Sequence, residues 1–359
     1  MTEEKTYIVH LYFKKSLHIG ASRSGVGIEA TQEFIHSDTL WAAISNYWSI
    51  LGQAGGVSFS EFINGFRMKT AQGNDSVINP LFRMTSAFPF TPEGHSRIYW
   101  LPKPSSVPYS LSSCNAGQAE QKKKYGKSFK EKRFITKETF QHWLLFNSEL
   151  GSVIDCEEMA GISHGSLRAQ ATIDRLTNKA SLYHSGITYL EHQTQSIGLY
   201  WLLRTGDKRV ELGLREVFNV IRDIGGIGGN ISSGCGELYH YEIADVDESW
   251  DFINNTPDAN AFCLLSLCYP RVEEQSSIEP IAFEHVIRKG WTGSLATGLQ
   301  KKRKTISMLA EGSVLSNALG GGIADVTPDL VKTPEWRGVH DVFRNGYAFL
   351  VPIKVNSED

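Results

Sequence analysis

Gly225-Gly226-Ile227-Gly228-Gly229-Asn230-Ile231-Ser232-Ser233-Gly234-Cys235-Gly236 is the stretch on which the reading of this chain turns. Half of its residues are glycine. Before it, Leu214, Val217, Phe218, Ile221 and Ile224 fall on one face of an expected helix over 210–224. After it, residues 238–243 read as a strand. The loop therefore runs from helix to strand, whereas a dinucleotide-binding loop runs from strand to helix. The order G-x-x-x-x-G-K-[ST] is absent, and G-x-G-x-x-G is not completed. Nucleotide-hydrolase and dehydrogenase readings lose their support. Two readings remain. One is a flexible connector. The other is an anion cradle: glycine has no Cβ, so a partner backbone can come close, and successive N–H groups can line a concavity. Ser232 and Ser233 would add hydroxyl donors for phosphate or ribose.

Working outward, residues 7–13 read as a strand. His36-Ser37-Asp38-Thr39 opens a helix in which Ser37 or Asp38 can cap free N–H groups. Leu40, Ile44, Tyr47 and Leu51 recur there at helical spacing beside Trp41 and Trp48, a core stripe. Prolines 89, 92, 102, 104 and 108 break the pattern between 80 and 150, and the polar run 110–126 carries Lys122-Lys123-Lys124. This reads as a long insertion over about 85–165. Residues 134–146 suggest a strand or turn and then a helix. Residues 168–183 suggest an extended hairpin turning at Thr177-Asn178. Further strand candidates are 198–204, 261–269, 282–291, 304–310 and 346–355. The acidic, polar stretch 245–260 reads as a linker. The fold class expected is α+β, with one unit over 1–245 and a second over 246–359.

The bulk numbers suit two domains with real cores: 359 residues, 41% hydrophobic and 21% charged. The net charge of −3 is not that of a strongly basic nucleic-acid-binding domain, so any RNA contact must come from local patches. The five cysteines show no C-x-x-C spacing, which disfavours a disulfide framework or zinc site and points to reduced thiols in the cytoplasm. No apolar run reaches membrane-spanning length, and residues 1–5 do not open a secretory signal. No metal or cofactor site is expected.

The loop, with its Ser-Ser-Gly-x-Gly ending, resembles the glycine-rich loop of the RAMP superfamily of CRISPR proteins. Four further segments are similar to the Cas-five-like subunit of type III-A (Csm) interference complexes, Csm subunit four. They are His36-Ser37-Asp38-Thr39-Leu40; Ala171-Thr172-Ile173-Asp174-Arg175 with 180–183; Arg288-Lys289-Gly290-Trp291 with 304–313; and Asp325-Val326-Thr327-Pro328 with 342–349. They span nearly the whole chain in the order of the family. The glycine loop alone would identify only the superfamily. Cys235 stands where such loops often carry an aromatic, a departure that bears on base stacking there.

The resemblance implies two ferredoxin-like (RRM-like) domains, the first carrying the insertion and a thumb hairpin over about 166–190. It implies a non-catalytic subunit of an antiviral ribonucleoprotein that holds the 5′ handle of the guide (CRISPR) RNA. That subunit would join the large polymerase-like subunit to the backbone RAMP subunits, and would lie close to target RNA near the handle. Gly226, Gly228, Gly229 and Gly234 would let the loop lie on the RNA backbone, with Asn230, Ser232 and Ser233 as donors. Ser37 and Thr39 stand at a helix N-terminus, which can hold a phosphate or simply be capped. His36 would touch RNA or pack under the loop. Arg168 and Arg175 would meet phosphates, and Ile173 would wedge a base step. Lys301 and Arg303 belong to the densest basic run, which can serve RNA or be a solvated face. The alternative is a metal-independent endoribonuclease using His18, His36 or His164 as general base, although no base, acid and oxyanion donor stand at distinctive spacing.

Overall fold

Residues Lys5–Phe13 form β1, a strand buried on both faces, and the structure grows around it. It is a computed structural model that describes residues 4–20, 28–70, 73–93, 96–106, 132–145, 164–174, 176–192, 195–293 and 298–355. β1 is followed by helix α1 (Ser37–Leu51), a short helix α2 (Phe59–Asn64), and strands β2 (Phe88–Glu93), β3 (Ser96–Pro102) and β4 (Phe134–Thr136). Helix α3 (Lys137–Leu144), the paired strands β5 (His164–Ile173) and β6 (Ala180–Tyr189), strand β7 (Gly198–Thr205), helix α4 (Lys208–Ile224) and strand β8 (Leu238–Asp245) complete this part.

The main sheet has the order β4-β3-β2-β7-β1-β8. β7 and β8 both run antiparallel to β1, so they are parallel to each other, and α4 is the crossover between them. A parallel pair needs such a crossover. Alternation along the strands divides the core in two. On one face Trp201, opposite Val9, packs against Phe218 of α4. On the other face Tyr200, opposite His10, packs on Tyr99 and Trp250.

The helices follow their sequence logic. Leu40, Trp41, Ile44 and Trp48 are the buried apolar stripe of α1, and Gly52, at φ 73°, ends it. Asp207 caps α4, its carboxylate accepting from the Arg209 N–H. Val210, Leu214, Val217, Phe218 and Ile221 of α4 are buried. Gly213 sits mid-helix because a Cβ there would lie 2.3 Å from the Trp48 ring, so α1 and α4 approach closely only with glycine.

Three expectations change. Within the stretch 85–165 read as an insertion, residues 88–102 supply two strands of the main sheet, and 134–144 add the strand and helix read there, an edge strand of the same sheet and the helix after it. Pro89 and Pro92 lie near the two ends of β2, and Pro102 ends β3, which hid the pattern. The expected linker contains a 3-10 turn, Glu248–Ile253, whose Trp250 and Ile253 are buried in the core. Two apolar anchors in an acidic stretch were enough. Ile224, placed on the buried face of α4, is 82% exposed at the helix end.

Beyond residue 260, strands Pro280–Ala282, Val314–Leu315, Ala261–Leu264 and Leu350–Ile353 form a second sheet in that order. Among the described residues this part contains no α-helix, so it is more strand-rich than the α+β unit expected there. Its Cys263, Leu265, Phe349, Val351 and Ile353 share one core cluster with β1, α1 and β7. Among the described helices none is long and apolar enough to cross a membrane.

The two parts are also joined by a buried charge cluster. Asp38, in the first turn of α1, has no exposed surface. Arg288 donates to its carboxylate from Nε and Nη2, both at 2.9 Å, and Arg344 donates from Nη1. Burial alone would raise the Asp38 carboxyl, but the two guanidiniums outweigh it and hold it well below its usual range. A carboxyl lowered in the folded state contributes stability above its unfolded value, near pH 4, and that contribution is lost as pH falls through the folded value. Asp38→Asn leaves two arginines buried without their counter-charge and is expected to cost about 3–5 kcal/mol. Urea unfolding at neutral pH measures this, and the gap between wild type and variant should close in acid.

Candidate nucleic-acid interface

The glycine loop is fastened to its own protein before it can hold anything else. Tyr47, near the end of α1, accepts from the Gly226 N–H at 2.9 Å and donates to the Gly226 carbonyl at 3.1 Å. Ile227 is buried, and its N–H donates to the Gly236 carbonyl at 3.0 Å. The Gly229 N–H donates to His18 O at 2.8 Å, and the Gly236 N–H to Ser16 O at 2.7 Å. Gly228, at φ +103°, has its absent Cβ 2.6 Å from His18 O, and a Cβ on Gly229 would lie 2.8 Å from the His18 ring. The space left by these glycines is filled by segment 14–20, so they serve the fit of the loop to its own support. The flexible-connector reading does not describe a loop held at both ends and in the middle.

What remains outward is a short crest. Asn230, at φ 55°, opens a 3-10 turn over Ile231–Ser233, and Gly234, at φ 81°, closes it. Ser232 and Ser233 are exposed, and Gly234 has open space on its Cβ side. Among the described residues the N–H groups of Gly228, Asn230, Ile231 and Ser232 make no hydrogen bond. Unbonded backbone donors in a turn fastened on either side suit an acceptor-rich partner such as a phosphodiester backbone. Cys235 is buried, with the Ser16 hydroxyl 3.6 Å from its sulfur, and offers no stacking surface.

The loop lies at the foot of the β5–β6 hairpin. The Asn230 amide donates to Ser185 Oγ at 2.9 Å, and His18 Nδ1–H donates to the Gly186 carbonyl at 2.6 Å. The hairpin turns where the sequence pattern placed it: Asp174 accepts from the Leu176 and Thr177 N–H groups, and Asn178 takes φ 55°. Register puts Leu167, Ala169, Ala171, Ile173, Ala180 and Leu182 on one face. These side chains are exposed, Ile173 at 65%. Arg168 is on the opposite face, its guanidinium 3.2 Å from the Tyr189 hydroxyl. Arg175 and the side chain of His164 lie outside the described residues.

The remaining sequence candidates are elsewhere. His36 is fully buried, its Nδ1 2.7 Å from Glu311, against Phe34, so it neither touches RNA nor packs under the loop. Burial would raise the Glu311 carboxyl, but His36 and the Ser86 hydroxyl hold it below its usual range. Ser37 is also buried, accepting from the Leu267 N–H at 3.1 Å, and has no access to a phosphate. Thr39 is half-buried and accepts from Arg288 at 2.8 Å. Lys301 pairs with Glu335, and Arg303 stands beside Arg288 and Arg344. The expected helix-terminus phosphate site is thus filled by Asp38 and its arginines. A charged side chain in the first turn was visible in the sequence, but its partners lie some 250 residues and more away.

α1 separates two places. Tyr47 holds the glycine loop at one end, and Asp38 holds the arginines at the other. Nine residues of helix put them about 14 Å apart along the axis. The structure unites the glycine loop with the hairpin and leaves Thr39, Lys301 and Arg303 at a second location. The sequence reading missed Tyr47 as an anchor because a tyrosine in an apolar stripe signals core. Tyr47→Phe should remove both bonds to Gly226, cost about 1–2 kcal/mol, and speed amide hydrogen exchange over 226–236 while β1 stays protected.

Comparison with known proteins bears on this geometry. Residues 257–353 match the family model of the CRISPR Csm4 C-terminal domain. A search of curated protein sequences finds no match. A chain of a crystal structure described as the Csm3-Csm4 subcomplex in the type III-A CRISPR-Cas interference complex has a similar fold. Its TM-score is 0.59 at 16% identity, covering 98% of this chain and 100% of that one. A chain of the crystal structure of a Csm1-Csm4 cassette in complex with one ATP gives 0.54 at 16% identity, covering 98% and 99%. The resemblance of the sequence to the RAMP superfamily, and within it to the Csm4 subunit of type III-A CRISPR complexes, is therefore borne out by the C-terminal family match and the shared fold.

Proposed function

We propose that this chain is a non-catalytic guide-RNA-binding subunit of a type III-A effector complex in the cytoplasm, holding the 5′ handle of the CRISPR RNA. One observation carries the reading: the 228–234 crest presents unbonded N–H groups and two exposed serines at the foot of an exposed hairpin. Backbone donors read phosphate and sugar without reading sequence, as a constant handle beside a variable guide requires. The apolar side chains around Ile173 suit insertion against bases, and Arg168 on the opposite face suits a phosphate. Target RNA paired near the handle would then meet the hairpin.

The order β8-β1-β7-β2, with α1 after β1 and α4 between β7 and β8, supports a ferredoxin-like reading of the first part. The relatives described as a Csm3-Csm4 subcomplex and a Csm1-Csm4 cassette support neighbours of those two kinds. The chain would join the large polymerase-like subunit to the backbone RAMP subunits. Of the histidines in the endoribonuclease alternative, His18 and His36 are buried and hydrogen-bonded within the protein, which leaves neither poised at a ribose hydroxyl.

The packing of His18 under Gly229 dictates the test. Gly229→Asp would clash with that ring, so loss of RNA could be loss of structure. Ser232→Asp with Ser233→Asp places two negative charges on the exposed crest instead. The expected result is at least a tenfold loss of guide RNA from the purified complex with an unchanged melting temperature. Photocrosslinking should join handle nucleotides to residues 228–234; no crosslink there, with normal guide content in the double variant, would defeat the proposal.

A further inference from the structure

Trp291 opens strand Trp291–Gly293, which pairs with Gln300–Lys302, and it is 59% exposed. Lys302 stands directly opposite in the ladder, with its ammonium 5.5 Å from the indole centroid. A single exposed apolar side chain needs no explanation. This one stands in a concentration of positive charge that does. Arg303 donates from Nε to the Trp291 carbonyl at 2.9 Å. Burial, and then the like charges of Arg344 and Arg288, push the Arg303 guanidinium down to about 10 against the opposing pull of Asp38. Three guanidiniums thus converge near one carboxylate, and that carboxylate is already hydrogen-bonded by two of them. Lys289, Lys302 and Lys304 are exposed around the same corner. Among the described residues no carboxylate lies within ion-pair distance of these three lysines or of Arg303. The chain as a whole carries −3, so this local excess opposes the overall sign.

An exposed indole flanked by unpaired cations has the chemistry that holds unpaired nucleotides: the ring stacks a base of any identity, and the cations meet the flanking phosphates. We propose that Trp291, Lys302 and Arg303 form a second contact for single-stranded RNA, distinct from the glycine loop and at the opposite end of α1. One base stacks on the indole, with Lys302 and Arg303 on the neighbouring phosphates. A duplex offers no free base face, so the contact selects an unpaired stretch. The inference rests on the reading of the chain as an RNA-binding subunit. It adds a separate anchoring point, so that a bound strand is held at two places with α1 between them.

The test uses the full chain and a fluorescein-labelled single-stranded oligouridylate, with a double-stranded RNA as comparison. Trp291→Ala should weaken single-strand binding about tenfold, within the range of one stacked base. Trp291→Phe should keep most of the affinity, because a smaller ring still stacks. Lys302→Ala should reduce the salt dependence of binding by about one phosphate contact. Both tryptophan substitutions lie on the surface, and an unchanged melting temperature verifies the fold. Trp291→Ala binding RNA as tightly as wild type would overturn the proposal. So would a Trp291→Ala variant that keeps its RNA affinity but no longer assembles with protein subunits, since the corner would then be a protein contact. If the Ser232→Asp, Ser233→Asp variant loses RNA while Trp291→Ala does not, this contact falls alone. If the wild-type chain binds no RNA, both readings fall.

Discussion

The Asp38 carboxylate lies in the first turn of α1, out of reach of water, between two arginines from the far end of the chain. Removing three charges from water is costly, and the mutual attraction offsets that cost only with close geometry and satisfied donors. The hydrogen bonds from Arg288 Nε and Nη2 and Arg344 Nη1 supply that geometry. The consequence is positional. Strand His285–Arg288 and strand Phe343–Tyr347 are tied to the start of α1, while Tyr47 ties the glycine loop close to its end. One helix therefore sets the spacing between the loop and the basic corner. His36 with Glu311 and Ser37 with Leu267 reinforce the same junction, so residues suited to phosphate binding by type are spent on assembly.

The glycine loop shows two uses of a missing side chain. Gly226, Gly228, Gly229 and Gly236 admit atoms of the protein itself, and Gly234 closes a turn that needs a positive φ. An outward crest on a packed base is already ordered when it meets a ligand. That lowers the entropic cost of binding relative to a free loop. The hairpin beside it offers a different surface, apolar on one face and polar on the other, through which the two strands can treat bases and phosphates separately.

Stability and recognition are thus divided along the chain. The main sheet and its two apolar faces hold β1, α1, α4 and β7 together with the second sheet in one core. The recognition elements stand at its margins: a turn after α4, a hairpin between β4 and β7, and a hairpin with Trp291 in the second part. Charge follows the same division. The net charge is slightly negative, yet lysines and Arg303 with no carboxylate in ion-pair distance among the described residues gather in one corner.

Much of this was legible in the residues. A short β-branched and aromatic run marked β1, residues 198–204 read as the strand that became β7, period 3.6 marked α1 and α4, and the helix-to-strand setting of the glycine loop removed the support for nucleotide-binding folds. The Thr177-Asn178 turn and the two hairpin strands were read correctly because their chemistry is local. What failed was non-local. His36, Ser37 and Asp38 look like an exposed helix start, since a sequence shows the free N–H groups of a helix but not what covers them. Trp250 was lost in an acidic stretch, and β2 and β3 were lost among prolines, because burial there depends on strands far away. By itself the sequence determined most of the helices, several strands, the loop and its family resemblance, which rest on neighbouring residues. Only the tertiary structure decided which polar groups face water, because burial and ion pairing are set by contacts between distant segments.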